Sequence, residues 1–431
     1  IITASAGTSN FRAGVNAGAN IASGGNYNVA VGDEAGNDLT TGDYNTLVGY
    51  GAGDVLTTAS HNTVLGYNAL GADTLGAKST ALGRSALGAQ NFTTATDAYN
   101  TAVGYDAGNA VTTGIQNTLL GSKAGDALTD ADFNVAVGMS ALGADTLGSK
   151  SIAIGTGALS TQNFTTATDA FNVAVGHSAG NLLTTGIQNT LIGGLAGDAM
   201  TTANENTVVG YNSGSALTTG LQNTFLGAKT GDASTVGTRN TALGYDALSI
   251  DTQGSRNVAV GSNTLANQNF TSATDSYNTG VGYAAGQDIT TGTQNTLIGG
   301  LAGDATTTGS TNVAVGYNAL SVNTVGSHSV AIGDHALLFQ NPSTATDMHN
   351  VAVGSEAGSQ ITTGLGNTLL GGLAGDALTD ADWNVAIGKN ALSTDTLGSF
   401  STAIGINALE TQNFTSATNS YNTAVGALAG G

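Results

Sequence analysis

Short stretches with one residue pattern recur along the chain, each beginning at Asn or Ser and ending at Gly. In the segments 28–32, 45–49 and 62–66 the fourth position is Val or Leu and the fifth is always Gly. Aliphatic residues that run into an obligatory Gly predict a short β-strand ending at a tight corner. A second strand is predicted near the eleventh to fourteenth positions, as at 39–42. Gly, Thr and Asn recur too densely for a 3.6-residue apolar stripe, so no helix is predicted.

The spacing of these segments defines a repeat. Equivalent starts recur with a constant step of 17 at Asn28, Asn45, Asn62 and Ser79, and the next start, Asn100, follows after a step of 21, which gives a 72-residue set. The third set is longer by two coils of 17. The resulting divisions are an irregular segment with a first coil at 1–27, repeat sets at 28–99, 100–171, 172–277, 278–349 and 350–421, and an open partial coil at 422–431.

A 17-residue unit cannot bury a core alone, so the coils must stack on one another. The prediction is an all-β fold, a β-solenoid or parallel β-roll with coils about 4.8 Å apart. The aliphatic fourth position is expected to form a continuous buried column. Third-position residues would then lie on the opposite face, where only another chain could cover them. The first-position asparagines are expected to form an internal hydrogen-bonded ladder; in the first two sets they are Asn28, Asn45, Asn62, Asn100, Asn117 and Asn134.

Composition narrows the function. Only 9% of the 431 residues are charged and 65 are Gly, which disfavours a conventional globular enzyme. A net charge of −20 is a poor match for nucleic acid or anionic membranes, and no apolar run is long enough to cross a bilayer. The absence of Cys leaves the redox compartment open. The start at Ile1, with no Met and no signal peptide, leads us to expect a processed chain or an excerpt.

Four strand motifs carry a resemblance to known families. The segments 151–155, 329–333, 384–388 and 401–405 read SIAIG, SVAIG, NVAIG and STAIG, and they resemble the head repeat of trimeric autotransporter adhesins. The segments 100–114 and 312–320 are similar to repeats of phage tail-fibre proteins that carry a self-cleaving chaperone. The resemblance implies a left-handed roll, three chains to a particle, and a location outside the cell, on a cell surface or on a virion.

The 21-residue coils carry the candidate ligand-binding residues. Each contains a four-residue extension, and extensions of a solenoid gather on one face that often binds ligands. Aromatic rings beside Asn, Asp and Thr suit contacts with a cell-surface glycan or host receptor. The alternative is that these rings fasten the longer coil to its neighbour. In the fourth copy Pro342 and His349 replace the aromatic pair. The candidates are Phe92, Tyr99, Phe164, Phe171, Phe270, Tyr277, Phe414 and Tyr421.

Clustered carboxylates suggest one candidate cation, Ca²⁺, although the EF-hand spacing is missing and a solvated turn is the alternative. The five histidines lack ligand spacing, so no other metal or cofactor is expected. With isolated histidines no nucleophile–base set can be assembled, and the chain is expected not to be an enzyme. The segments 91–93, 163–165, 269–271 and 413–415 also fit the N-glycosylation sequon, with a plain Asn turn as the alternative. The candidate Ca²⁺ ligands are Asp126, Asp130, Asp132, Asp376, Asp380 and Asp382.

The leading functional hypothesis is therefore a non-enzymatic extracellular fibre or adhesin shaft that associates with itself. A second hypothesis is a filament subunit joined head-to-tail, with residues 1–9 completing the partial coil 422–431 of the next molecule. A third is ice binding through threonines such as Thr40 and Thr41. No nucleic-acid partner and no direct membrane insertion are expected.

Overall fold

The computed structural model describes residues 5–431 and divides them into two compact units, the first ending at Thr219 and the second beginning at Gly220. The described residues form β-strands joined by tight turns and contain no helix. The boundary between the units lies inside the third repeat set, 172–277. The units are therefore not delimited by the 72-residue sets.

Within residues 5–431, each unit has twelve strands of three residues, one per coil, at the second to fourth positions. In the first unit they are β1 Phe11–Ala13, β2 Val29–Val31, β3 Thr46–Val48, β4 Thr63–Leu65, β6 Thr80–Leu82, β8 Thr101–Val103, β9 Thr118–Leu120, β10 Val135–Val137, β12 Ile152–Ile154, β14 Val173–Val175, β15 Thr190–Ile192 and β16 Thr207–Val209. In the second they are β17 Thr224–Leu226, β18 Thr241–Leu243, β20 Val258–Val260, β22 Thr279–Val281, β23 Thr296–Ile298, β24 Val313–Val315, β26 Val330–Ile332, β28 Val351–Val353, β29 Thr368–Leu370, β30 Val385–Ile387, β32 Thr402–Ile404 and β34 Thr423–Val425.

Ten strands of two residues accompany the extended coils and pair with each other two by two. Each pair joins the coil before an extended coil to the extension itself, as Gly76 pairs with Thr96. The pairs are β5 Gly76–Ala77 with β7 Thr96–Asp97, β11 Gly148–Ser149 with β13 Thr168–Asp169, β19 Gly254–Ser255 with β21 Thr274–Asp275, β25 Gly326–Ser327 with β27 Thr346–Asp347, and β31 Gly398–Ser399 with β33 Thr418–Asn419.

Within each unit every three-residue strand lies parallel to its equivalent in the next coil. The register matches position to position, so Val29 pairs with Thr46 and Ala30 with Leu47. Each unit is therefore a β-solenoid built mainly of 17-residue coils, and the predicted fold class is confirmed. The strand predicted at 39–42 does not form, although the backbone there is still bonded between coils, since the Thr40 amide donates to the Thr57 carbonyl at 2.8 Å.

The chain segment before Asn28 also follows the coil pattern. β1 pairs in parallel with β2, and the Asn28 amide donates to Asn10 Oδ1 at 2.9 Å. The equivalent bond joins the first-position residues of later coils, as from the Asn45 amide to Asn28 Oδ1. Residues 10–27 therefore form an 18-residue coil, and the segment is regular from residue 10 onward. Residues 1–4, which belong to the predicted irregular segment and to the proposed filament joint, lie outside the described residues.

The third position of each coil, which is the middle residue of its strand, faces the interior, and the fourth does not. Ala30, Leu47, Val64 and Phe225 are fully buried within their own chain. The fourth-position side chains point outward, and Leu65 is 51% exposed. The interpretation of the fourth position as a buried column was therefore wrong. Both positions are apolar, so the alternation of the strand alone does not show which of them faces inward.

Inside the units, large and small side chains alternate between the third and ninth positions. A Gly at the ninth position leaves room for a large third residue in the next coil or in its own: a Cβ on Gly36 would lie 2.5 Å from Leu47 Cδ1 of the next coil, and one on Gly125 would lie 2.8 Å from Leu119 Cδ2 of its own coil. Where the ninth position is Leu, as at Leu70, the next third residue is small, as at Ala81. This exchange of volume keeps the core filled along the stack.

One core side chain is an exception to this packing. Thr306 is fully buried, and its Oγ1 makes no hydrogen bond to any described residue. Because an unpaired buried hydroxyl costs about 1–3 kcal/mol, we expect Thr306→Val to stabilise the second unit by roughly 1 kcal/mol, measured as a higher thermal midpoint. The matched control is Thr264→Val, since the buried Thr264 Oγ1 donates to the Gly282 carbonyl at 2.6 Å and its loss is expected to destabilise. A lower midpoint for Thr306→Val would contradict the prediction.

Candidate functional site

The first-position asparagines lie in a buried ladder. Asn28 Oδ1 accepts the Asn45 backbone amide at 2.9 Å, and Asn28 Nδ2 donates to the Gly42 carbonyl of its own coil at 2.9 Å. Asn62 and Asn117 repeat the arrangement with their neighbours. Each Asn therefore links two coils and closes its own coil, largely through backbone partners. The equivalent bonds at Asn45, Asn100 and Asn134 have lengths of 2.8–3.0 Å.

Ser79 replaces Asn at one position of the ladder, and its shorter side chain does not reach the next coil. A buried polar cluster makes the connection instead. Gln90 Nε2 donates to Ser79 Oγ at 3.2 Å, and Gln90 Oε1 accepts Asn100 Nδ2 at 2.8 Å. The same Nε2 donates to Asp73 Oδ2 at 2.5 Å. Asp73 Oδ1 accepts the backbone amides of Gly76 at 2.9 Å and Phe92 at 3.3 Å. The cluster therefore anchors the start of each extension to the coil before it.

This cluster was not foreseen from the sequence, because Asp and Gln are usually surface residues. Its signal is the twelfth position, which is Asp or Asn before an extended coil, Gln within one, and mostly aliphatic elsewhere. The fourth copy carries Asn323 in place of the aspartate, with Gly326 N donating to Asn323 Oδ1 at 3.1 Å. The other aspartate–glutamine pairs are Asp145–Gln162, Asp251–Gln268 and Asp395–Gln412.

The buried aspartates make stability depend on pH. Burial raises the pKa of Asp73, Asp145 and Asp251, although their hydrogen bonds oppose the shift. A folded-state pKa above the unfolded value means that the stabilisation is complete below the unfolded pKa and is lost as pH rises through the folded one. We therefore expect the thermal midpoint to fall as pH rises above about 4, the ordinary pKa of an aspartate.

Substitution of these three residues tests that dependence. The triple variant Asp73→Asn, Asp145→Asn, Asp251→Asn copies the natural Asn323 and should lose part of the pH slope. The reciprocal variant Asn323→Asp should steepen it. If the thermal midpoint of the triple variant depends on pH as steeply as that of the wild type, the pH dependence arises from other carboxylates. Examples are the half-buried Asp198 and Asp304, whose pKa is also raised by burial.

The phenylalanines proposed to contact a ligand lie inside the extended coils. Phe92, Phe164 and Phe270 are only 5–6% exposed, and Phe414 is half-buried. A Cβ on Gly76 would lie 2.7 Å from the Phe92 ring, which shows how closely the extension packs on the previous coil. The three buried rings have no free face for a sugar, and their position agrees with the alternative in which the phenylalanines fasten the longer coil.

The second aromatic of each extension is exposed, but a side chain of the previous coil covers one of its faces. The ammonium of Lys78 lies 5.0 Å from the centre of the Tyr99 ring and donates to Asp97 at 2.6 Å and to the Tyr99 hydroxyl at 3.0 Å. These hydrogen bonds raise the pKa of Lys78 to about 12. The equivalent contacts pair Lys150 with Phe171, Arg256 with Tyr277, and Phe400 with Tyr421.

Four of the six proposed Ca²⁺ ligands accept hydrogen bonds from the previous coil, whereas Asp376 Oδ1 is buried without a partner among the described residues. Thr113 Oγ1 donates to Asp130 at 2.6 Å, and the Ile115 amide donates to Asp132 at 2.8 Å. Asp380 and Asp382 have the same roles. Burial raises the pKa of Asp126, Asp132 and Asp376. Among residues 5–431 no three His, Cys, Asp or Glu side chains are grouped so that they could hold a metal ion.

The histidines of the fourth set are split between two places. His328 lies 2.9 Å from Asp347 and its ring centre is 5.3 Å from that of His349, whereas His335 lies beside Asp334 and Tyr317. His328 occupies the position that Lys78 has in the first set, and like Lys78 it contacts the extension of the next coil.

The most distinctive surface is the outward side of the three-residue strands, which we call the outer sheet face. It consists of Thr or Val at the second position and the aliphatic column at the fourth. Aromatic columns flank it: Tyr27 stacks on Tyr44 at 5.0 Å, and Tyr50 stacks on Tyr67 at 5.4 Å. The large fourth-position side chains most exposed to solvent are Leu65, Leu120, Ile154, Ile192, Leu226, Ile298, Ile332, Leu370 and Val425.

Comparison with models of known protein families gave no match, and comparison with curated proteins also found no significant similarity. Among the residues that the structure describes, no helix is long and apolar enough to cross a membrane.

Proposed function

We propose that this chain is a non-enzymatic structural fibre protein, a stiff shaft that holds an attachment function away from a cell surface or virion. The proposal rests mainly on one observation, which is that successive coils repeat the same hydrogen bonds and the same core positions. Each unit continues one hydrogen-bond ladder and one set of core columns from coil to coil. Such a stack gains length by adding coils and needs no concave site.

The surface chemistry supports a shaft that associates with itself. A net charge of −20 favours solubility and keeps separate particles apart. The exposed aliphatic column calls for a protein partner, and the resemblance to adhesin heads and tail fibres implies that three chains share it. Attachment to a glycan or receptor would then fall to the exposed tips of the extensions, such as Thr93 and Thr94.

The shaft role is tested by location and by length. Antibodies against the recombinant chain should label the surface of intact cells or virions that carry the protein, and labelling only after permeabilisation would contradict the role. Deletion of residues 100–171 joins Tyr99 to Asn172, which reproduces a natural set boundary. The shortened chain is expected to fold with an unchanged thermal midpoint and to give a shorter particle by electron microscopy. Loss of folding would show that the sets are not interchangeable.

A further inference from the structure

We infer that the stacked tyrosines of neighbouring coils are sites of oxidative cross-linking, at which a peroxide-driven oxidation joins two coils of one chain covalently. The pairs are Tyr27 with Tyr44 and Tyr50 with Tyr67. The product is dityrosine, in which a carbon–carbon bond joins two phenol rings. This inference goes beyond the proposed function and does not rest on it, because it concerns bonds within a single chain.

The backbone brings the two rings of each pair together. The ring centres of Tyr27 and Tyr44 are 5.0 Å apart and their planes are inclined by 6°, and those of Tyr50 and Tyr67 are 5.4 Å apart and inclined by 12°. The first pair occupies the last position of two successive coils, and the second pair occupies the sixth. Since equivalent residues of parallel strands stay about 4.8 Å apart, the rings remain close when their side chains move.

The first pair is also aligned by an unusual backbone conformation. Tyr27 and Tyr44 both lie in the left-handed region, with φ of 57° and 59°. Because the two residues share this conformation, their side chains leave the coils in the same direction. The stacking of their rings is therefore a consequence of the repeated backbone.

The reaction requires an oxidant that removes one electron and one proton from each phenol. Hydrogen peroxide, acting through a haem peroxidase, takes up the two electrons and two protons and is reduced to two waters. The two phenoxyl radicals then form one bond between ring carbons ortho to the hydroxyl groups. The hydrogen on each of these carbons moves to its own phenol oxygen, which restores both hydroxyl groups. All four rings are about half exposed, so an oxidant can reach them.

The other tyrosines show why only these two pairs are selected. The chain has 12 tyrosines, and besides these four none has a tyrosine at the same position of an adjacent coil. A cationic side chain lies over the rings of Tyr99, Tyr105 and Tyr277, where a second phenol would have to stack. Tyr421 stacks on Phe400, which has no hydroxyl group and forms no phenoxyl radical. The remaining four have Gly, Ala, Ser or Asp beside them in the column, and they are Tyr211, Tyr245, Tyr283 and Tyr317.

The composition of the chain directs oxidation to tyrosine. Cys, which oxidants attack through its thiolate, is absent, and two of the three methionines, Met200 and Met348, are fully buried. The absence of Cys also means that no disulfide joins the coils. Dityrosine in the two pairs would join coil 10–27 to coil 28–44 and coil 45–61 to coil 62–78. A covalent link of this kind lowers the entropy of the unfolded chain and so favours the stacked coils.

Oxidation of the purified chain with hydrogen peroxide and a haem peroxidase tests the inference. Dityrosine fluorescence should appear in the band that keeps the mass of one chain on a denaturing gel. Cleavage before aspartates separates the tyrosines of each pair, and mass spectrometry of that band should find peptide 43–53 joined to peptide 1–32 and to peptide 54–72. The inference is overturned if the band contains neither link, or if other tyrosines are coupled to the same extent.

Paired substitutions supply the control. Tyr44→Phe with Tyr67→Phe keeps a ring at both positions and removes one phenol from each pair, so most of the dityrosine fluorescence should be lost. Tyr211→Phe with Tyr245→Phe removes two phenols of comparable exposure that have no tyrosine neighbour, and the yield of dityrosine should not change. Equal fluorescence from the two variants would contradict the assignment.

Hydrogen exchange measures whether the link fastens the coils. The Phe11 amide donates to the Asn28 carbonyl at 2.8 Å, between the two coils that Tyr27 and Tyr44 would join. After oxidation this amide should exchange more slowly in the wild type than in the variant that carries Tyr44→Phe and Tyr67→Phe. Equal rates would show that the link does not hold the coils together. Surface labelling tests the shaft role separately, so the two proposals can fail independently.

Discussion

Gly193→Ala is expected to destabilise the first unit strongly, whereas Gly194→Ala in the adjacent position is expected to be nearly neutral. Gly193 has φ +135°, and a Cβ there would lie 2.4 Å from the Gly210 carbonyl oxygen of the next coil. Gly194 has ordinary backbone geometry, and its nearest neighbour would be a Tyr211 ring carbon at 3.7 Å. We expect a cost of about 3 kcal/mol or more at Gly193, from backbone strain and the clash with a backbone atom that cannot move alone.

Hydrogen exchange is the suitable measurement, because a stacked array does not unfold as one two-state body. In Gly193→Ala, the Gly210 amide, which donates to the Ile192 carbonyl at 2.7 Å, should lose protection together with its neighbours. In Gly194→Ala it should stay protected. Equal protection in the two variants would show that the fifth-position Gly is not required by the stacking of the coils.

The second large effect on stability is expected where a large side chain at the third position packs against a Gly at the ninth position. Leu119→Ala should cost about 2–5 kcal/mol, because a fully buried side chain is lost and a cavity remains. Gly108→Ala should also be costly, since its Cβ would lie 2.6 Å from Leu119 Cδ1. In the Leu119→Ala background that clash is absent, and what remains is the left-handed strain of about 1 kcal/mol and a close approach of 3.1 Å to Leu87 Cδ2.

A double-mutant cycle at Gly108 and Leu119 therefore measures the coupling. Thermal melts of the wild type, both single variants and the double variant should show that the double variant is less destabilised than the sum of the singles. Additive effects would contradict direct packing between the two positions.

Much of the fold could be predicted from the sequence, because the repeat is expressed in residues with strict backbone requirements. Asn28 and Gly32 mark the start and end of a strand, and the spacing from Asn28 to Asn45 gives the coil. Which strand face is inward could not be predicted. Ala81 is smaller than Leu82, and a small residue looks like a weak core position until Leu70, at the ninth position of the previous coil, is seen to fill the space.

The candidate sites were harder to predict, because residues of the same type are buried at one position and exposed at another. Phe92 is buried by its extension, while Tyr99, seven residues later, is exposed beneath Lys78. Asp73 is fully buried and Asp130 is exposed, and only their positions in the coil, the twelfth and the fourteenth, distinguish them. Contacts between neighbouring coils determine which of these side chains are buried. Such contacts are known only when the coils are stacked with their equivalent positions aligned.

The mass of the native particle, measured by light scattering or sedimentation at several concentrations, tests the central claim most directly. The chain has a mass of 42.1 kDa. A closed assembly of copies packed through the outer sheet face predicts one concentration-independent mass, three times that of the chain if the resemblance to adhesin heads and tail fibres holds. A mass of one chain at every concentration would contradict the claim that the exposed aliphatic column is covered by copies. A ladder of species that lengthens with concentration would contradict closure and favour the head-to-tail filament.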